Sequence, residues 1–154
     1  MSSLVTVPAE IHLPAARLAE IAAHLEAAYP HEGCGILIGR LENGYKVVTE
    51  VVLTGNAREE GAKHNRYSIP PEELLQGELQ AEELGLEVVG YFHSHPDHPD
   101  RPSEFDRENG WPGYTYLITA VASGRAAGTR AWQLRPDRTA FDPQPLVILG
   151  EDDD

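Results

Sequence analysis

Residues 86–96 constrain this chain more than any other stretch. Leu86 to Phe92 is apolar apart from Glu87 and runs without a break into His93-Ser94-His95-Pro96. An apolar run of this length, ended by a proline, fits a strand in the middle of a sheet. On a strand, residues two apart share a face, so His93 and His95 project together and Ser94 projects away. Pro96 places the pair at the strand's C-terminal end, at the rim of the sheet, where open α/β sheets tend to hold ligands.

The remaining elements supply what such a strand needs around it. Leu4 to Val7 and Ile11 form a short first strand or extended lead-in. Leu18, Ile21, Ala22, Leu25, Ala28 and Tyr29 follow helical spacing, which predicts an amphipathic helix over residues 14–29, opened by Pro14 and stopped by Pro30. Gly35 to Leu41 and Tyr45 to Leu53 are joined by Glu42-Asn43-Gly44 and form a hairpin. A polar loop covers residues 54–64, and Tyr67 to Ile69 is expected to be a short strand. Pro70-Pro71-Glu72-Glu73 opens a second helix that runs to about Leu84, with Gly85 as its cap. Ser103 to about Asn109 is a short helix. Tyr114 to Ala122, Arg130 to Arg135 and Phe141 to Leu149 are further strands. The expected fold class is α/β (α+β), a mixed sheet flanked by two main helices and one short one.

Length and charge narrow the partners. The 154 residues suit one domain over residues 1–150, with Glu151 to Asp154 as an acidic tail. Twelve Lys and Arg against 25 Asp and Glu give −13, which argues against nucleic acid and against an anionic membrane surface. No apolar run approaches the ~20 residues of a membrane-spanning helix. The N-terminus has neither the basic nor the apolar region of a signal peptide, so a soluble, cytoplasmic protein is expected. Cys34 is the single cysteine, which excludes an internal disulfide and a Cys-rich metal cage.

Two imidazoles side by side are natural ligands for Zn²⁺. Ser103 is a good helix N-cap, and Asp106 lies in the first turn after the loop that follows the histidines. From there its carboxylate can swing back as a third ligand. Two His, one carboxylate and an open fourth position make a catalytic zinc pattern rather than a structural one. Glu32 stands between the Pro30 helix stop and the apolar strand beginning at Gly33, and is the candidate base for a water. Ser103 could donate to a developing oxyanion. Each feature has a plainer reading on its own. A His-x-His at a strand end is ordinarily solvated, Ser103-x-x-Asp106 is a capping box, and Glu32 is a surface charge. Asp97, His98 and Asp100 could ligate, but a proline-rich solvated loop is their ordinary setting.

The joint pattern is far more specific. Glu32 is followed by Gly33-Cys34-Gly35-Ile36-Leu37-Ile38-Gly39, and Val89-Gly90-Tyr91-Phe92 precedes the histidines. Seven residues separate His95 from Ser103, and two separate Ser103 from Asp106. Together these resemble the JAMM (MPN+) zinc metalloprotease family, in its small standalone prokaryotic type, over roughly residues 10–135. The resemblance implies a fold related to the cytidine deaminase-like folds. It assigns one zinc per chain to His93, His95 and Asp106, the general base and proton shuttle to Glu32, and the oxyanion contact to Ser103. It further implies hydrolysis of an amide or isopeptide bond after the C-terminal Gly-Gly of a ubiquitin-like protein of sulfur-carrier type. The leaving group could be a free amino acid or a lysine side chain. Residues 54–68, a polar loop ahead of a short strand and a helix near the site, are either the wall of the substrate groove or an ordinary surface connection. Cys34 is expected to be a small buried hydrophobe rather than a nucleophile. Exposed sheet edges leave room for a homodimer.

Three other readings compete. A non-catalytic MPN scaffold is one, but such members typically lose the ligands. A nucleobase deaminase requires a Pro-Cys-x-x-Cys zinc set that one cysteine cannot supply. A JAMM-like domain of a DNA-associated protein sits poorly with −13.

Overall fold

The hairpin and the central strand set the frame. A computed structural model describes residues 9–58, 60–63 and 66–150. The strand expected at Leu4 to Val7 and the acidic tail lie outside them. In chain order the elements are β1 (Glu10–Pro14), α1 (Ala15–Ala28), β2 (Cys34–Glu42), β3 (Tyr45–Thr54), α2 (Pro71–Glu83) and β4 (Glu87–Pro96). There follow α3 (Glu104–Asn109), β5 (Thr115–Ala122), β6 (Arg125–Leu134), β7 (Phe141–Gln144) and β8 (Leu146–Leu149). One eight-stranded sheet takes the order β7-β6-β5-β4-β2-β3-β1-β8. It is mixed and carries helices, as the sequence indicates.

β4 lies between β2, which it pairs antiparallel, and β5, which it pairs parallel. That position explains its near-continuous apolar run. The β2–β3 hairpin closes at Asn43-Gly44, with Glu42 opposite Tyr45 and Gly44 at φ +84°. A left-handed conformation at that point is what glycine supplies without strain. On one face, α1 packs Ile21 and Leu25 into a core with Leu37, Phe92, Leu117 and Val121. On the other, α2 contributes Ala81 to a cluster with Ile36, Ile38 and Val88. A Cβ on Gly77 of α2 would come within 2.7 Å of Ile36 Cδ1, so the helix approaches the sheet as closely as it does because that residue has no side chain. Among the described residues, no helix is long and apolar enough to cross a membrane.

Three expectations are corrected. Tyr67 to Ile69 is not a strand: Ser68 O accepts from Ala57 N–H, and Ser68 N–H donates to Asn56 Oδ1, so its backbone serves the neighbouring loop instead of a ladder. Strand β6 begins at Arg125, five residues earlier than its apolar portion indicates. Phe141 to Leu149 is two strands. Pro145 has no N–H for a ladder, and the chain changes partners there. β7 pairs antiparallel with β6, whereas β8 pairs parallel with β1. These are the two ends of the sheet order, so the sheet curls until its outermost strands meet at Pro145.

Lys46 of β3 is buried and spans this curled interior. Its Nζ donates to Val89 O (2.9 Å), Gly113 O (2.9 Å) and Thr115 Oγ1 (3.0 Å), and Thr115 donates in turn to Gln144 Oε1 (2.7 Å). Burial pushes the Lys46 ammonium down to about 8, which still leaves it mostly charged at neutral pH. All three of its N–H donors are used, which is the condition for tolerating a buried charge.

Candidate metal centre

The last residues of β4 carry the site. His93 lies opposite Cys34 of β2 and Ile118 of β5, and is fully buried. His95 lies two residues on, on the same face. Their Nε2 atoms are 3.3 Å apart. Asp106 reaches both: Oδ1 stands 3.1 Å from His93 Nε2, and Oδ2 stands 3.0 Å from His95 Nε2. The carboxylate is delivered by the short helix α3. Ser103 is its N-cap, with Oγ accepting from Asp106 N–H (3.1 Å) and Ser103 N–H donating to Asp106 Oδ2 (2.9 Å). The capping box is therefore realised, and the carboxylate that completes it also reaches both histidines.

The donor set fits a cation. His95 Nδ1 faces Pro99 O at 2.8 Å, and a carbonyl can only accept, so Nδ1 carries a proton and Nε2 is the ring atom left to face the cluster. Two imidazole nitrogens and a carboxylate that converge on one point call for positive charge among them, supplied by protons on the rings or by a cation. One ligand atom from each of the three residues lies within 4.8 Å of the others, close enough to meet on a single ion. His93, His95 and Asp106 form the one group of this kind among the described residues. Burial alone would raise the Asp106 pKa. The charge of His93 and the hydrogen bonds from both histidines and Ser103 N–H outweigh it and hold the carboxyl well below its usual range.

Glu32 follows the turn that ends α1. Its position is tied to the histidines through Ser94, whose side chain faces the opposite way from the pair. Gly33 N–H donates to Ser94 Oγ (2.8 Å), and Ser94 N–H donates to Gly33 O (3.1 Å). Glu32 is 5% exposed, and its Oε1 has no hydrogen-bond partner among the described residues. Burial, and then the charge of Asp106, push its carboxyl up to about 9. Glu32, His95 and Ser103 open onto one cleft of about 430 Å³, together with Arg66, Phe105 and others. Glu32 is thus a buried group within the site and not a surface charge.

Other candidates fall elsewhere. Asp97 accepts from Tyr29 OH (2.6 Å) and Ser123 N–H (2.8 Å), and Asp100 stands 3.7 Å from Arg130. His98 lines the cleft without joining the cluster. Cys34 is buried, its thiol donates to Gly55 O (3.2 Å), and burial pushes it up to about 11. That is an inert thiol, as expected.

Two further residues support the site, and of these only the Asn56 loop has a counterpart in the family resemblance. Asn56 organises the loop beside Glu32: its Nδ2 donates to Glu32 O and Arg66 O, and its Oδ1 accepts from Arg58 N–H and Ser68 N–H. Tyr67 stacks on the His93 ring, with centroids 4.4 Å apart and planes at 23°. His93 Nδ1 has no hydrogen-bond partner among the described residues. The Tyr67 ring face therefore gives His93 the orientation that Pro99 O gives His95. The same tyrosine lines a second cleft of about 280 Å³ with Arg58, Phe105, Asp106 and Trp111.

Comparison with known proteins agrees with this geometry. Residues 14–135 match the model of the prokaryotic homologs of the JAB domain. A desampylase of Haloferax volcanii is 38% identical over 90 residues, which is 58% of this chain and 62% of the relative, so less than two thirds of that protein is spanned. A Thermus thermophilus protein named "Probable TtuB-protein conjugate cleaving protease" is 32% identical over 116 residues, 75% of this chain and 74% of that one. The solution structure of a Desulfitobacterium hafniense protein superposes with a TM-score of 0.80 at 27% identity, covering 92% of this chain and 94% of that one. With a family match over most of the chain and the same fold in a solved structure, this protein belongs to the prokaryotic JAB (JAMM/MPN) domain family.

Proposed function

We propose that this chain, acting as a single domain over residues 1–150, is a zinc-dependent peptidase that hydrolyses the amide or isopeptide bond after the C-terminal Gly-Gly of a ubiquitin-like, sulfur-carrier type protein. The observation that carries the reading is the convergence of three buried donors, His93, His95 and Asp106, beside the buried carboxyl of Glu32. The names of the Haloferax and Thermus relatives point to the same class of substrate.

His93, His95 and Asp106 would hold the ion. Bound zinc supplies a Lewis acid that lowers the pKa of a water toward ~7. Glu32 takes the proton that the water gives up and passes it to the leaving nitrogen. The water oxygen joins the acyl carbon, the C–N bond breaks, and the amine departs with the proton Glu32 held. At about 9, Glu32 binds its proton tightly. An added positive charge beside it would bring that value down toward neutrality, the range that suits a proton carrier. Ser103 Oγ already accepts from Asp106 N–H, which leaves its own O–H to donate to the developing oxyanion.

The test uses zinc-loaded protein and Gly-Gly-ending ubiquitin-like proteins of its host, either extended by one residue or conjugated to a lysine, with products identified by mass. Cleavage after the second glycine is expected, abolished by chelation and restored by zinc. Failure to cleave any of these substrates would overturn the proposal.

The Tyr67 contact has its own test. Tyr67→Leu should weaken zinc binding about 10-fold, the lower end of what loss of a support to a ligating histidine costs. Tyr67→Phe keeps the ring and should bind zinc as the parent does. Competition with a chromophoric chelator measures both, and equal affinity in all three proteins would remove Tyr67 from the support of the centre.

A further inference from the structure

The arginines of this chain are distributed unevenly. Arg17, Arg40, Arg107, Arg130 and Arg135 each meet a carboxylate. In a chain where acids outnumber bases 25 to 12, such pairing is the expected state. Arg58, Arg66, Arg101, Arg125 and Arg138 show no carboxylate partner among the described residues, and of these Arg66 and Arg101 line the 430 Å³ cleft that holds Glu32, His95 and Ser103. Arg66 stands over the Phe105 ring, 5.3 Å from its centroid. Stacking of this kind fixes a guanidinium plane while leaving its in-plane N–H donors available. The acids lining the same cleft do not use them: Glu104 is held by Arg107, and Glu32 is buried.

We infer that this cleft binds a carboxylate carried on the leaving-amine side of the substrate, with Arg66 and Arg101 as its recognition pair. The inference rests on the peptidase reading above, because it takes Glu32 as the proton carrier. A departing nitrogen must come within hydrogen-bond reach of that carrier, so whatever is attached to the nitrogen enters the cleft of Glu32. Two sources supply the charge. A single amino acid released from the tail carries its α-carboxylate one carbon from the nitrogen. A lysine side chain has only methylenes there, and would need an Asp or Glu next to it in the target protein. A guanidinium engages either source by charge-assisted, bidentate hydrogen bonds.

The experiment uses four peptide probes on zinc-loaded protein. Two end in Gly-Gly-Ala, with a free α-carboxylate or a C-terminal amide. Two are Gly-Gly isopeptides of a lysine with blocked termini, flanked by Asp or by Asn. Binding is read by calorimetry and turnover by mass. In at least one pair the charged probe should bind about 10-fold more tightly than its neutral counterpart, and the pair that responds identifies the source. In the Arg66→Gln, Arg101→Gln double variant that ratio should fall toward one, while Arg66→Lys, Arg101→Lys, which keeps the charges but not the bidentate forks, should retain only part of it. Equal affinities within both pairs, or a ratio unchanged in the double Gln variant, would overturn the inference whatever the turnover. Selective binding without any turnover would overturn the peptidase reading and leave the carboxylate site standing.

Discussion

Glu32→Gln is expected to keep one zinc per chain and to lose turnover by about 10²–10⁴-fold, the scale of a lost general acid–base. The amide replaces the carboxyl almost atom for atom, so the ligands His93, His95 and Asp106 stay in place while no group remains to carry the proton. The metal-free protein should respond in the opposite direction and become more stable. The Glu32 carboxyl is raised from 4.5 to about 9 in the fold, chiefly by burial. A group raised in this way contributes its full share below pH 4.5, where both folded and unfolded chains hold the proton. That share is lost progressively as pH rises toward 9, because the unfolded chain ionises freely and the folded one does not. Glutamine does not titrate. The variant's advantage should therefore grow across this window and reach about 2–3 kcal/mol near pH 7. Denaturant melts of the metal-free proteins at pH 5 and pH 8 measure it. An equal difference at the two pH values would mean that Glu32 titrates as an ordinary exposed acid.

His95→Ala should fail to retain zinc after dialysis and should show no measurable hydrolysis, since one of three protein ligands is gone. Metal analysis against the parent protein decides the first point, and full zinc occupancy in the variant would refute the ligand assignment. The substitution also touches the metal-free fold. Asp106 is buried and relies on His93, His95 and Ser103 N–H to remain ionised. Removing His95 leaves a buried carboxylate with one partner fewer, a cost of about 1–3 kcal/mol. Because the Asp106 pKa is depressed, its contribution is present above its unfolded value of about 3.8 and is lost as pH falls through and below that value. The destabilisation should accordingly be seen near neutral pH and should shrink in acid.

Much of the centre was legible in the sequence because it depends on local geometry. The two-residue period of a strand puts His93 and His95 on one face, Pro96 ends the strand after them, and Ser103 fixes the helix that carries Asp106. Glu32 was singled out by its place between a helix stop and an apolar strand and by its motif, although nothing local says that its carboxyl is buried. What could not be read depends on contacts between distant segments. Tyr67 sits in a connection whose backbone bonds to residues 56 and 57, and only that folding back brings its ring onto His93. Lys46 is a charged residue on the inward face of β3, two residues from the core residue Val48, and its three acceptors come from residues 89, 113 and 115. The apolar residues of 141–149 look like one strand, because the choice between two partners on either side of Pro145 is made by the far ends of the sheet.

That change of partners bears on how the molecule is made. β8 is the last of the described strands to be synthesised, and its neighbour β1 is the first. Throughout translation β1 can rest against β3 on one flank only, with its other row of amides and carbonyls unmatched. That flank stays unpaired until residues 146–149 have left the ribosome, and the nascent chain must keep it from meeting another copy until they arrive.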